Sequence, residues 1–171
     1  EAAAHILATK VGAEWYYDTL HSEVKGIIPV PGWAAGSYNG PVGEAYFLED
    51  LYQVTGKQEY RDYVLYVADV LFEAAVEDEQ GLHWSDQEDV TADGGFIVFL
   101  DHVYRRTGIK KYLDFACKAA DRIGKDALDA PLGGKFWKLL DLSMIDFPKE
   151  TTFPNWSHGT TGTAWMFAVL Y

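Results

Sequence analysis

The chain has 171 residues, 49% of them hydrophobic, which is enough for one domain with one core over 1–171 and too few to argue for two. A formal charge of −12 and a pI near 4.7 exclude the clustered Lys and Arg of a phosphate-binding surface, so no nucleic-acid partner is expected. No apolar run approaches the ~20 residues that span a bilayer and no basic amphipathic stretch marks a surface helix, so no membrane partner is expected. The single Cys117 excludes an internal disulfide framework. It fits a reducing, cytoplasmic compartment without establishing one.

Residues 2 to 23 read as a helix with Ala3, Leu7, Val11, Trp15 and Leu20 on its apolar stripe. Two prolines, Pro29 and Pro31, and three glycines, Gly26, Gly32 and Gly36, then make a loop leading to Ser37-Tyr38-Asn39-Gly40. Pro41 suits the first turn of the next helix, where its missing N–H costs nothing. Helix 41 to 55 is apolar nearly all round (Val42, Ala45, Tyr46, Phe47, Leu48, Leu51, Tyr52, Val54), which predicts a helix enclosed by others. Its mate, 58 to 77, carries Tyr60, Tyr63, Val64, Val67 and Leu71 on one side, with Arg61, Asp62, Asp69 and Glu73 turned to water. Thr55-Gly56 between them predicts a glycine C-cap and an antiparallel hairpin. A second pair follows at 94 to 106 and 109 to 125, joined by Thr107-Gly108, and a further helix starts near Gly162.

These elements are copies of one another. Gly43, Leu48, Tyr52, Thr55-Gly56, Tyr60, Ala68, Asp69 and Leu71 recur 52 residues later as Gly95, Leu100, Tyr104, Thr107-Gly108, Tyr112, Ala120, Asp121 and Ile123. Gly162, Ala164 and Leu170-Tyr171 begin a third copy after an insertion of about 15 residues between 127 and 158. The loops repeat as well: Gly81-Leu82-His83-Trp84 answers Gly134-Lys135-Phe136-Trp137. A period of this size means stacked units, none of which can bury its apolar face alone. The expected fold is all-α, an α/α toroid of inner and outer helical hairpins. The loops 25–40, 78–92 and 127–158 precede inner helices and would gather on one face, where a site is expected. Because the third copy stops in mid-pattern at Tyr171, the chain is expected to be part of a ring in a longer repeat protein, with open edges that favour self-association.

Ser37-Tyr38-Asn39-Gly40-Pro41-Val42-Gly43-Glu44-Ala45, Thr55-Gly56 and Pro154-Asn155-Trp156-Ser157-His158-Gly159-Thr160-Thr161-Gly162 resemble lanthionine synthetase C-like proteins, in three successive repeats over most of the chain. The resemblance implies a double-layered α/α toroid with Gly-rich turns opening its inner helices. It also implies addition of a peptide cysteine thiolate to dehydroalanine or dehydrobutyrine, forming a thioether. In that family zinc, held by two Cys and one His, activates the thiolate, and a His in a His-Gly turn moves the proton. If the third motif is the mid-ring His-Gly turn, which we favour, His158 is the proton-transfer residue and the zinc ligands lie beyond Tyr171. If it is the Cys-His-Gly zinc turn, Ser157 replaces the cysteine. Either way, no metal ligands are expected in this segment, since a catalytic zinc needs three protein ligands and an open position.

His158 is the candidate catalytic residue, placed before a helix N-terminus where the dipole favours a neutral imidazole able to exchange protons. A turn histidine bonded only to backbone is the alternative. Its counterparts in the earlier repeats, Asn39 and Thr91, suit capping. Tyr38, Asn39, Trp84, Trp137 and Trp156, with Trp33, are the candidate residues for binding a peptide or small molecule, unless the aromatics plug the end of the ring. His83, aligned with Phe136, is expected to pack. Asp86, Glu88, Asp89 and Asp93 could serve as general acid and base of a glycosidase, or form a solvated loop in which Asp89 or Asp93 caps a helix. Cys117 is expected to make a lateral helix contact. Two further readings stand beside the cyclase: a carbohydrate-active α/α toroid of the glucuronyl hydrolase or sugar epimerase type, and a non-catalytic peptide-binding scaffold.

Overall fold

The structure, a computed structural model, describes residues 1–10, 36–38, 40–85, 87–138 and 152–171. Within them lie α1 (Ala2–Ala8), α2 (Pro41–Thr55), α3 (Gln58–Ala74), α4 (Asp93–Thr107), α5 (Lys110–Lys125) and α6 (Thr160–Leu170). Two short ladders join them, β1 (Val76–Glu77) with β2 (Leu82–His83) and β3 (Leu128–Asp129) with β4 (Lys135–Phe136). The described residues are all-α apart from these ladders. The rest of the expected helix 2 to 23, most of the loop before Tyr38, Trp33, Asn39 and Asp86 lie outside the described residues. No helix among the described residues is long and apolar enough to cross a membrane.

Both expected hairpins form, α2 with α3 and α4 with α5. Each reverses through a Thr-Gly pair in the same way. Gly56 and Gly108 take left-handed φ of 68° and 71°, and their N–H groups donate to the carbonyls of Tyr52 (2.8 Å) and Tyr104 (2.7 Å). These bonds satisfy carbonyls that the helix end would leave without partners. The preceding threonines repeat their bonds too, Thr55 to the Leu51 carbonyl and Thr107 to that of Val103.

A different glycine opens each repeat. A β-carbon on Gly43, Gly95 or Gly162 would fall 2.2, 2.3 or 1.8 Å from the carbonyl oxygen of Ser37, Val90 or Trp156, respectively. In every copy the incoming turn crosses directly over the first helical turn, and only glycine leaves room for it. The three crossings are neighbours: the Gly95 position lies 3.6 Å from Ser37 Oγ, and the Gly162 position 3.0 Å from Val90 Cγ2. The turns before α2, α4 and α6 therefore do gather at one end of the array.

The outer helix is shorter than its periodicity suggests. The expected helix 58 to 77 stops at Ala74, where Ala75 turns extended (φ −71°, ψ 146°) and the chain enters β1. Val76 then pairs with His83 and Glu77 with Leu82. After α5 the second ladder pairs Leu128 with Phe136 and Asp129 with Lys135. The repeated Gly-x-His/Phe-Trp loop is thus a repeated β-hairpin, too short to show alternation of its own.

The core runs continuously through both hairpins, with Leu48, Tyr63, Leu71, Trp84, Phe96, Phe99, Leu100 and Tyr112 almost wholly buried. Full burial of such a side chain stabilises by about 1.5–3 kcal/mol relative to exposure. Contrary to the expectation from its composition, α2 is not enclosed all round. Phe47 is 42% and Val54 84% exposed, because α3 and α4 cover only its other sides. Arg61, expected to face water, instead turns inward and holds both oxygens of buried Glu49 at 2.7 Å, while its Nη2 donates to the Arg106 carbonyl at the end of α4 (2.6 Å). The equivalent acid one repeat on, Asp101, accepts from Arg105 (2.6 Å), whose Nη2 donates to the Val169 carbonyl near the end of α6 (2.8 Å). A buried acid on each of α2 and α4 thus positions an arginine that clasps the C-terminal carbonyls of the next repeat.

Candidate functional site

The loop between β2 and α4 winds around two buried carboxylates. Asp93 accepts from the backbone N–H of Trp84 (3.0 Å) and of Ser85 (3.0 Å), and from Ser85 Oγ (2.6 Å). Burial pushes Asp93 up to about 6, against these hydrogen bonds, which favour the carboxylate. Asp89, 6% exposed, accepts at Oδ1 from the Thr91 N–H (2.8 Å) and the Thr91 hydroxyl (2.5 Å), and at Oδ2 from Gln87 Nε2 (2.8 Å). The reading of 86 to 93 as a solvated acidic loop is corrected for these two residues. Asp89 holds the turn, as a capping role anticipates, and its carbonyl takes the N–H groups of Ala92 (3.1 Å) and Gly94 (3.0 Å). Closely spaced acids suggest solvation only while the N–H donors that the turn aims at them remain uncounted.

The turn before α6 comes to this loop from 67 residues away. His158 Nδ1 lies 3.4 Å from Thr91 Oγ1 and 3.6 Å from Asp89 Oδ2, and its ring is 36% exposed. The His158 N–H donates to Asn155 Oδ1 (2.8 Å), and the Thr160 N–H to the Phe153 carbonyl (2.9 Å). Gly159, extended at φ −154°, caps the helix. With a proton on Nδ1 directed at Asp89 and Thr91, Nε2 would be the acceptor nitrogen of the ring. The arrangement sets an imidazole beside a buried carboxylate and a hydroxyl.

Gln87, Glu88, Lys138 and His158 line one narrow cleft. Burial, reinforced by the neighbouring Asp126 carboxyl, pushes Glu88 up to about 9, so it is protonated at neutral pH. Next to this cleft stand the aromatics of the third turn, Trp156 (45% exposed) and Trp165 of α6 (39%), with ring centroids 5.4 Å apart. Tyr38, on the first turn, is 66% exposed.

One of the expected binding residues is elsewhere: Trp84 is completely buried and offers no surface to a ligand. Trp137, 7% exposed, lines the same cleft as His158. Each indole N–H donates to a carbonyl at the end of an outer helix, Trp84 to Leu71 (2.7 Å) and Trp137 to Ile123 (2.8 Å). Both close the end of the array, because the β-hairpins fold each tryptophan back over the helix it follows, and the correction applies to Trp84 alone. His83 packs as expected, half-buried, with Nδ1 3.2 Å from the Ser85 carbonyl. Cys117 sits half-buried on α5, packed against the core, its thiol pushed up by burial. Among the described residues no group of three His, Cys, Asp or Glu is placed to hold a metal ion. A lone, protonated thiol on α5 does not fit a catalytic zinc.

The pairing of Asp89 with His158 and the roles of Gln87, Glu49, Asp101 and Trp165 were not legible beforehand. Asp89-Val90-Thr91 has the local form of an Asx turn, which is the signal that was available. Comparison of the chain with models of protein families, with curated proteins and with solved structures finds no match in any of the three.

Proposed function

We propose that this chain is part of a lanthionine synthetase C-like α/α toroid and that it modifies peptides, as a thioether cyclase or as a relative that has kept the ring and changed the chemistry. One observation carries the reading: His158, in a Gly-rich turn at a helix N-terminus, faces buried Asp89 at 3.6 Å where the turns of three repeats meet. The repeated hairpins, and the cavity that α2, α4 and α6 share, support a ring with those helices inside.

Addition of a thiol to dehydroalanine needs one proton moved and no redox partner. The thiol proton leaves sulfur, a sulfur lone pair forms the S–Cβ bond, and the Cα=Cβ electron pair shifts towards the adjoining carbonyl as an enolate. A proton then reaches Cα, so none is gained or lost overall. In this scheme His158 Nε2 carries that proton, and Asp89 fixes the tautomer and offsets the imidazolium charge. The family's zinc finds no ligand set in these residues, so no step here runs through it. Phe47 and Val54, exposed seven residues apart on one face of α2, support self-association along that flank.

The test uses a peptide bearing one dehydroalanine and one cysteine, with the thiol left free after incubation counted by alkylation. The expected result is thiol loss accelerated by the protein and slowed by about 10²–10⁴ in His158→Ala, the usual size of a general acid–base contribution. No acceleration, or an unchanged His158→Ala rate, would overturn the reading. Glu88, protonated beside His158, is the observation that favours the carbohydrate-active alternative. Turnover of uronic-acid oligosaccharides, lost in Asp89→Asn, would put that reading first.

A further inference from the structure

Thr91 and His158 hold the same place in successive repeats, just ahead of the opening glycines Gly95 and Gly162. Stacking of the second and third repeats sets them face to face, with Thr91 Oγ1 3.4 Å from His158 Nδ1. Asp89 Oδ2 stands farther from the same nitrogen, at 3.6 Å, beyond direct hydrogen-bond reach. The nearer neighbour of the imidazole is therefore a buried hydroxyl, and the direction in which that hydroxyl points decides what it can do for the ring.

A threonine hydroxyl has one proton to give and two lone pairs to receive. Here the proton goes to Asp89 Oδ1, 2.5 Å away. An ionised carboxylate only accepts, so the threonine supplies the proton of that bond. One lone pair takes an N–H of Gln87 Nε2 at 3.0 Å, while the other N–H of the same amide goes to Asp89 Oδ2 at 2.8 Å. The reverse amide orientation would set Gln87 Oε1 against the carboxylate, acceptor on acceptor. What remains for His158 is the second lone pair. Thr91 can accept from Nδ1 and cannot donate to it.

The network is held from behind. The Thr91 N–H also donates to Asp89 Oδ1 (2.8 Å). The Gln87 N–H donates to Ser85 Oγ (3.1 Å), whose own proton goes to buried Asp93 (2.6 Å), and the Gln87 carbonyl takes the N–H of Asp93 at the start of α4 (3.1 Å). With the donors so committed, the hydroxyl cannot turn its proton to the imidazole without breaking its bond to Asp89, and a buried acceptor that loses a partner is costly.

We propose that Thr91 is a positioning residue for His158: its hydroxyl, turned to Asp89 and steadied by Gln87, offers the imidazole only an acceptor, which holds the ring proton on Nδ1 and leaves Nε2 as the accepting nitrogen. The proposal rests on His158 as the proton carrier of the reading above and states how the second repeat prepares it. Asp89 then sets the tautomer through the hydroxyl that lies nearer to the ring.

The experiment records long-range proton–nitrogen correlation NMR spectra of the isotope-labelled 171-residue protein, at the alkaline end of a pH titration where the imidazole carries a single proton. His158→Ala identifies the His158 signals among the five histidines. Free neutral histidine keeps its proton mainly on Nε2, so a proton on Nδ1 reports the contact with Thr91. Wild type is expected to show a protonated Nδ1 and an unprotonated Nε2. In Thr91→Val the ratio of the Nδ1–H to the Nε2–H form should fall by about threefold to tenfold, the worth of one hydrogen bond. Thr91→Ser, which keeps the hydroxyl, should retain the wild-type ratio. A wild-type proton on Nε2, an unchanged ratio in Thr91→Val, or a Thr91→Ser that follows Thr91→Val would each overturn the proposal; if Thr91→Val does not fold, Thr91→Ala is read in the same way. No peptide is present, so the tautomer is read separately from the chemistry. The expected tautomers without thiol addition would leave Thr91 standing and remove the cyclase, and thiol addition by a protein whose His158 keeps its proton on Nε2 would do the reverse.

Discussion

The indole nitrogen of Trp84 donates to the carbonyl oxygen of Leu71 at 2.7 Å, thirteen residues back along the chain. Leu71 lies in the last turn of α3, so this carbonyl has no partner within the helix. Trp137 makes the same bond to Ile123 one repeat later. The tryptophan therefore closes the helix end and carries the β-hairpin back onto the core, where it meets Phe96 and Phe115 edge-on at 5.3 and 5.8 Å.

Trp84→Phe should cost about 1–3 kcal/mol, because it keeps most of the buried ring and leaves the Leu71 carbonyl unsatisfied. Trp84→Ala should cost about 3–5 kcal/mol, since the cavity it leaves is added to that loss. Urea denaturation of the two variants against wild type measures both. No loss in Trp84→Phe would mean that the hydrogen bond contributes nothing.

Gly95→Ala should prevent folding or cost at least about 3 kcal/mol, above the usual overpacking range, because the atom met at 2.3 Å is the Val90 backbone carbonyl and cannot rotate aside. Gly108→Ala, where nothing lies within 4 Å and only the left-handed φ of 71° opposes a side chain, should cost about 1–2 kcal/mol. Thermal melts of the pair separate crowding from backbone strain.

Glu49→Ala should destabilise by about 3–5 kcal/mol, because it leaves the Arg61 guanidinium against the core without its charge partner. Arg61→Ala strands the carboxylate and should cost a similar amount, and the double variant should cost less than the sum. A double-mutant cycle by chemical denaturation tests this; strict additivity would mean that the two residues do not act as a unit.

Stability should fall as pH rises from about 4.5 to about 9. Glu88 is raised in the folded state, so across this window the folded chain binds a proton that the unfolded chain has released. Its contribution is complete below the unfolded value and is lost as pH passes the folded one. Asp93, raised to about 6, adds in the same direction at the acid end of the range. Glu88→Gln should flatten the profile between pH 6 and 9, read from urea midpoints at each pH. A wild-type midpoint that does not change across that interval would contradict the placement of Glu88.

Much of the scaffold was legible because it depends on residues close together in the chain. Helical periodicity, Pro41, and the Thr-Gly pairs act through neighbouring backbone groups, so α2, α4 and α5 lie within a residue or two of where their patterns place them. Recurrence at 52 residues carried the hairpins and the opening glycines in the same way. Even the shared Gly-x-His/Phe-Trp pattern correctly announced that two loops were alike.

What those loops do was decided by the tertiary structure. Trp84 has the composition of a ligand-binding aromatic and becomes core, because the hairpin folds it over a helix end, whereas Trp137, folded in the same way, still lines the cleft beside His158. Asp89 looks like part of a solvated charge run and becomes a buried carboxylate, because donors from Gln87 and Thr91 close around it. His158 meets Asp89 only when the third repeat packs beside the second, across 69 residues. Local patterns set the backbone's conformation one turn at a time. Burial, and the partners it makes obligatory for polar groups, depend on which distant segments arrive, and only packing decides that.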